Sequence, residues 1–283
     1  QRRIDVDAEF ISMSDKNPPK GLDLLVVDEA QHDAAQSMAN LHQAIRPRFI
    51  LGLSATPFRA DKVKLCFDTV IKDAGIHSLI QDGYLSSYQH YTIPVFSPEQ
   101  VVEHYCREPK KWGRSIFYFH TIEQCNRADE LLKKNGIRSE VVTGSSNREA
   151  QLDAFKAGKV DVLSNCMVLS EGFDCPELKT VFCRPSCKGV TIQMAGRVLR
   201  KHQDVPVKQI VQCGRTKWPF PRTASPEVSY VWMNEEWRSL KANPKINAVA
   251  STALKAVARI QVTLPKILQT QASGHGFWDN RDE

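Results

Sequence analysis

Short apolar runs alternate with stretches whose apolar residues recur every three or four positions through most of the chain. Strands alternating with helices produce this pattern, so it predicts an α/β fold with a parallel sheet covered by helices on both faces. Leu24-Leu25-Val26-Val27 is uninterrupted, as a buried central strand would be. Met38, Leu41 and Ile45 then recur at i, i+3 and i+7, the inner stripe of a helix. Phe49-Ile50-Leu51-Gly52-Leu53 supplies the next strand. Over residues 83–100 the pattern lapses, with Gly83, Pro94 and Pro98 as punctuation and one strand expected near Tyr91-Thr92-Ile93. The interdomain boundary is expected in this gap.

A second alternating series follows. Ser115-Ile116-Phe117-Tyr118-Phe119 reads as a strand, and the next helix, 122–135, meets Gly136 where a left-handed cap is favoured. Glu140-Val141-Val142 is again a strand, and Asn147 can cap a helix that carries Leu152 and Phe155 and ends at Gly158. Val160 to Leu163, Thr180 to Cys183 and Val207 to Val211 supply three more strands. Past Lys217 come Pro219, Pro221 and Pro226, then Tyr230-Val231-Trp232, then a helical stretch from about Asn247 to Ile260. The expected division is 1–96, 97–216 and an appended element, 217–283.

The chain's 283 residues, 42% of them hydrophobic, are enough for two compact domains of roughly 100–150 residues with a core each. No run of about 18 apolar residues occurs, so neither a membrane span nor a signal peptide is expected. The missing initiator Met points to a piece of a longer protein. Eight cysteines, at 66, 106, 125, 166, 175, 183, 187 and 213, lie in apolar runs without a CxxC pair, a usage typical of reduced thiols and of a cytoplasmic protein. Cys183 and Cys187 approach zinc-ligand spacing, but no second pair or nearby His completes a tetrahedral set, so they read as core or loop residues. A net charge of +6 permits a polyanionic partner without requiring one.

Candidate chemistry starts at Val27-Asp28-Glu29-Ala30-Gln31-His32, where two carboxylates follow a buried strand, the place where ligands bind in open α/β sheets. One can hold a hydrated Mg²⁺ and the other can orient a water for attack on a γ-phosphate, although taken alone the pair reads more readily as Asp28 capping the following helix. Ser54-Ala55-Thr56-Pro57 follows the next strand and is, alone, an ordinary turn. Gln193, Gly196, Arg197 and Arg200 fall at i, i+3, i+4 and i+7 beside an apolar stripe of Val190, Met194 and Val198, so one helix is expected to offer two guanidiniums on one face. In Ser170-Glu171-Gly172-Phe173-Asp174-Cys175-Pro176, Gly172 allows close backbone approach and Asp174 could accept from a ribose hydroxyl or an arginine. Trp218, Trp232, Trp237 and Trp278 lie among Arg215, Lys217, Arg222, Arg238, Lys241 and Lys245, yet aromatic residues in a small appended element are more often core.

The order Asp28-Glu29-Ala30-Gln31-His32, Ser54-Ala55-Thr56-Pro57, Phe119-His120-Thr121, Thr143-Gly144, Glu171-Gly172-Phe173-Asp174 and Gln193-x-x-Gly196-Arg197-x-x-Arg200 resembles that of superfamily 2 helicases. Gly52-Leu53-Ser54-Ala55-Thr56-Pro57-Phe58-Arg59 followed by Gly83-Tyr84-Leu85 looks most like the DEAD/DEAH-type subgroup of restriction-enzyme and repair translocases. The resemblance covers about residues 20–213. It implies two RecA-like lobes, the first truncated at its N-terminus, a small C-terminal extension, and the cofactors ATP and Mg²⁺. Asp28 would bind Mg²⁺ and Glu29 would position the hydrolytic water, with Gln31 and His32 communicating with Ser54 and Thr56 across the cleft. Arg197 and Arg200 would be arginine fingers, and Gly172, Asp174 and Gln193 would serve the nucleotide. Thr143, Gly144 and the backbone around Ser170 would hold the phosphates of one strand, with His120 and Thr121 near the same track. Such contacts read backbone rather than base, and DNA is favoured over RNA.

The sequence departs from the family in one respect. No Gly-x-x-x-x-Gly-Lys-Ser/Thr occurs, and only 27 residues precede Asp28, too few for the strand, phosphate loop and helix that come first in such a lobe. Without that cradle the chain alone is expected to bind ATP weakly and hydrolyse little or none. The alternative is a nucleic-acid-binding or regulatory protein that keeps the second lobe without catalysis, against which stand Asp28, Glu29, Arg197 and Arg200, each expendable once hydrolysis is lost.

Overall fold

The structure, a computed structural model, describes residues 7–12, 15–30, 36–54, 67–71, 74–166, 168–170 and 174–240. In chain order they form β1 (Leu24–Val27), α1 (Gln36–Ile45), β2 (Phe49–Gly52), α2 (Ile76–Gln81), β3 (Ser87–Ile93), α3 (Pro98–Arg107), α4 (Pro109–Trp112), β4 (Ser115–Tyr118), α5 (Ile122–Lys134), β5 (Ser139–Val142), α6 (Arg148–Lys156), β6 (Val162–Asn165), β7 (Thr180–Cys183), α7 (Lys188–Gly196), β8 (Val207–Cys213), β9 (Val228–Met233) and β10 (Glu236–Ser239). Short 3₁₀ turns lie at Val168–Ser170, Arg197–Leu199 and Phe220–Arg222. The helical stretch expected from Asn247, and Trp278 with it, lie outside the described residues.

The α/β class holds. β1 and β2 pair in parallel, while the remaining strands form one sheet in the order β10-β9-β3-β8-β7-β4-β6-β5, parallel except at the β9–β10 hairpin. This sheet draws strands from both sides of the expected boundaries. β3 pairs with the whole of β8, from Ser87 opposite Val207 to Ile93 opposite Cys213, and with β9 from Gln89 opposite Val228 to Thr92 opposite Val231. Residues 83–100 therefore contain a full strand and a helix start. Pro98 opens α3, where its missing N–H leaves no bond unmade, and the Ser97 hydroxyl accepts the Gln100 N–H at 3.3 Å.

Alternation along the strands of the large sheet feeds two cores. Ile116, Leu163, Val181 and Ile210 face Phe155 of α6 and Met194 of α7. On the opposite face Phe117, Val162, Phe182 and Val211 meet Val101 and Tyr105 of α3 and Cys125 and Leu132 of α5. The Thr121 hydroxyl caps α5 by accepting the Gln124 N–H at 3.2 Å, and Gly136 leaves the helix with a φ of 75°, as its position predicts. The β9–β10 hairpin closes one sheet edge through aromatic contacts: Tyr230 stacks on Tyr91 with centroids 4.8 Å apart, and Trp237 meets Trp112 edge-on at 5.6 Å. Part of the appended element is thus continuous with the large sheet.

The small sheet differs from the expected central strand. Leu25 and Val27 pack on Met38, Leu41 and Ile45 of α1, whereas Leu24 and Val26 are about half exposed, as are Phe49 and Leu51 of β2. Among the described residues only the face toward α1 is covered, so the uninterrupted apolar run of β1 alternates between buried and exposed instead of being buried throughout.

Candidate functional site

The turn after β1 is built by its neighbour. The Ala30 N–H donates to the Leu53 carbonyl at 2.9 Å and the Leu53 N–H to the Val27 carbonyl at 2.8 Å, so the chain leaving β2 closes on the chain leaving β1. Between them Glu29 is held at a φ of 49°, a left-handed conformation that a non-glycine residue adopts under local constraint, and Asp28 Oδ1 accepts the Glu29 N–H at 2.9 Å. Gly52 makes the closure possible. A Cβ there would come within 2.8 Å of the Ala30 Cβ and 2.5 Å of Phe67 Cζ. Asp28, Glu29 and Ser54 are thereby gathered at the carboxyl end of the small sheet, with Asp28 exposed. An exposed carboxylate at a strand end suits Mg²⁺, which keeps waters and completes its shell with phosphate oxygens. Gln31, His32 and Thr56 lie outside the described residues.

In the large sheet β4 and β7 are neighbours, and their following helices cover opposite faces, α5 on one and α7 on the other. The crevice of an open α/β sheet forms where connections diverge in this way. His120 leaves β4 and Arg184 leaves β7, and the Arg184 Nη1 lies 3.2 Å from His120 Nδ1. Partial burial, and secondarily the Arg184 guanidinium, push the His120 pKa below its usual value, so the ring is neutral near pH 7 and can accept from arginine. The Cys166 thiol, at the end of β6, donates to the His120 carbonyl at 3.0 Å. At the end of β5 the Thr143 N–H donates to the Ser146 hydroxyl at 3.0 Å, the Thr143 and Ser145 hydroxyls are 3.2 Å apart, and Gly144 is exposed. Ser170 ends a 3₁₀ turn fixed by Asn165, whose Oδ1 accepts the Leu169 N–H at 3.2 Å while its amide donates to the Phe117 carbonyl at 3.3 Å. Thr121 has its hydroxyl committed to the α5 cap.

The arginine helix requires a correction. α7 ends at Gly196, Arg197 opens a 3₁₀ turn, and Arg200 is extended at φ −63°, ψ 137°. Two guanidiniums on one α-helical face are therefore not formed. The cause lies just before β3: the Ser86 N–H donates to the Leu199 carbonyl at 2.8 Å and its hydroxyl to the Arg200 carbonyl at 3.4 Å, which draws the chain out of the helix. Arg200 instead forms an ion pair with Asp174, the arginine option for that carboxylate. Gln193 is half-buried on α7, and Gly172 lies outside the described residues.

Three residues were not flagged by motif order. Asn165 and Arg184 are described above. The third is Lys208, fully buried on β8, whose ammonium donates to the Pro176 and Leu178 carbonyls at 2.6 and 2.8 Å and so anchors the segment after Asp174 from beneath. Burial lowers its pKa to about 8 against the opposing pull of Cys175 and Glu177. Each had a faint signal: a polar residue inside or directly after a buried apolar strand.

The model of the helicase conserved C-terminal domain matches residues 97–202, and that of the type III restriction enzyme res subunit matches residues 6–59. Together the two matches support a superfamily 2 helicase of restriction-like type. Among helicase relatives, the putative ATP-dependent helicase IRC3 of Saccharomyces cerevisiae is 25% identical over 232 residues, covering 66% of this chain and 33% of that protein. A 51.5 kDa protein of a Lactococcus phage is 25% identical over 193 residues, covering 58% of this chain and 42% of its own length. The chain thus spans about a third to two-fifths of the length of these relatives. In fold it is similar to a variant of S. cerevisiae Dbp5 bound to RNA and ADP BeF3, with a TM-score of 0.50 and 16% identity, covering 69% of this chain and 54% of that one. Of the motif residues, Asp28, Glu29, Ser54, His120, Thr121, Thr143 and Gly144 follow strand ends.

Proposed function

We propose that this chain is part of an ATP-dependent DNA helicase or translocase that couples nucleotide hydrolysis to movement along a strand. One observation carries the reading. The described motif residues collect at the carboxyl ends of two parallel sheets, Asp28, Glu29 and Ser54 on the small one, His120, Thr121, Thr143 and Gly144 on the large one, with Arg200 restrained by Asp174. The restriction-enzyme match over 6–59 favours DNA.

In this reading Asp28 would hold Mg²⁺, which when bound would offset charge on the nucleotide's phosphates. Glu29, in its constrained turn, would orient the attacking water and take its proton. Arg197 and Arg200 would meet charge developing on the γ-phosphate. Arg200 must first exchange Asp174 for phosphate, a small barrier because exposed ion pairs are worth about 1 kcal/mol or less. The strand backbone lies on Thr143, Gly144 and the Ser170 turn, beside His120 and Thr121. These 283 residues contain no phosphate-loop sequence, so the reading assigns that loop, and hence turnover, to a longer protein.

ATP hydrolysis by that longer protein, measured with and without single-stranded DNA, duplex DNA and RNA, tests the reading. DNA is expected to stimulate turnover about tenfold or more, which is about 1.4 kcal/mol at the barrier. Absence of stimulation by any of the three would falsify the motor function.

A further inference from the structure

Beyond the motif residues, the carboxyl edge of the large sheet continues onto β8, and its chemistry there is one-sided. The segments 184–188 and 214–223 contain Arg184, Lys188, Arg215, Lys217 and Arg222 and no carboxylate. Lys188 Nζ lies over the Trp218 ring, 5.1 Å from its centroid, and Arg222 Cζ lies over the same ring at 5.6 Å. Among the described residues Lys188, Arg215, Lys217 and Arg222 make no ion pair. The loop is firmly built: the buried Gln212 Oε1 accepts the Phe220 N–H at 2.7 Å, its amide donates to the Trp218 carbonyl at 3.4 Å, and Trp218 Nε1 donates to the Thr223 hydroxyl at 3.1 Å. Fixed like charges gathered on one ring without a counter-charge create a potential that an anion relieves.

We propose that Lys188, Trp218 and Arg222, with Arg215 and Lys217, form a second phosphodiester-binding site that extends the strand track past β7. The carboxyl ends run in sheet order from Thr143 after β5, through Cys166 after β6, His120 after β4 and Arg184 after β7, to Arg215 after β8. Four steps between neighbouring strands span about 19 Å, a length that suits an extended strand rather than a small anion. Cations held by a ring position a backbone and read no sequence. This proposal rests on the nucleic-acid reading above.

The test is fluorescence anisotropy of the 283-residue chain with labelled oligothymidylates of about 6 and about 20 nucleotides across a salt series, comparing the unsubstituted chain with Lys188→Gln/Arg222→Gln, both exposed positions. Expected is a loss of about tenfold and a salt slope reduced by about 1.4 for two lost phosphate contacts, for the short strand as well as the long one, since six nucleotides already cover about 19 Å. Lys188→Arg retains the charge and should bind as the unsubstituted chain does. Unchanged long-strand affinity and slope in the double variant overturns the proposal while leaving the strand track intact. Failure of the unsubstituted chain to bind either strand overturns both readings. A loss confined to polyglutamate of matched length, with strand binding unaffected, overturns the proposal in favour of an acidic protein partner.

Discussion

Arg197→Ala is expected to cut strand-stimulated ATP turnover of the longer protein by about 10³-fold or more, because an arginine finger contributes on that scale to phosphoryl transfer. Arg197 opens a 3₁₀ turn whose next two residues, Val198 and Leu199, are buried and whose Leu199 carbonyl is held by Ser86. The backbone under the guanidinium is therefore set in advance, and little order has to be gained when the phosphate arrives. Strand affinity should stay within about threefold, since the proposed role of the residue is toward charge developing on the γ-phosphate and not the strand's phosphates. Arg197→Lys should recover little, because a point charge lacks the planar fork. Steady-state phosphate release at saturating strand, beside strand binding by anisotropy, checks both parts. Turnover within about threefold of the unsubstituted protein would remove Arg197 from the site.

Trp112→Ala should destabilise the large-sheet domain by about 3–5 kcal/mol, the usual cost of emptying a tryptophan site. Trp112 is fully buried, its Nε1 donates to the His104 carbonyl at 2.8 Å, and its ring meets Tyr91, Phe182 and Trp237 at centroid distances of 4.9, 5.4 and 5.6 Å. Lys111 Nζ lies 4.9 Å from the same ring and 5.0 Å from that of Trp237, so the substitution also loosens the β9–β10 hairpin. For a domain of this size the melting midpoint should fall by roughly 6–20 °C, with a smaller drop for Trp112→Phe. Thermal unfolding followed by circular dichroism measures it. A shift under about 2 °C would show that the aromatic cluster does not hold the sheet edge.

The central strands of the large sheet, β4, β6, β7 and β8, were legible because burial on both faces demands apolar residues at consecutive positions. β7, with all four residues buried, is the clearest case. The starts and stops of α5 and α6 were legible too, since Thr121, Gly136 and Asn147 act within one turn of their own sequence. What sequence obscured was set by distant partners. Pro94 and Pro98 look like linker punctuation until β3 is seen paired to β8 and β9, and Pro98 is then a helix start. The break after α7 depends on Ser86, which no spacing within Gln193 to Arg200 encodes. The exposed face of β1 follows from which elements stack on it, whereas its composition reads as buried on both sides. In the candidate site, residue types and order were readable, and the residues that position them were not. Lys208 acts through the Pro176 and Leu178 carbonyls before β7, and Asn165 through the Phe117 carbonyl of β4 and the Leu169 N–H, so they stand out only once the fold is known.

If hydrolysis drives movement along the strand, the nucleotide site and the strand track are coupled, so each ligand should alter the other's affinity. The most direct measurement is the affinity of the longer protein for a labelled single strand of DNA, with and without a saturating non-hydrolysable ATP analogue. A difference of about fivefold or more is expected, the usual lower range for coupled sites. Equal affinities in the two conditions would contradict it.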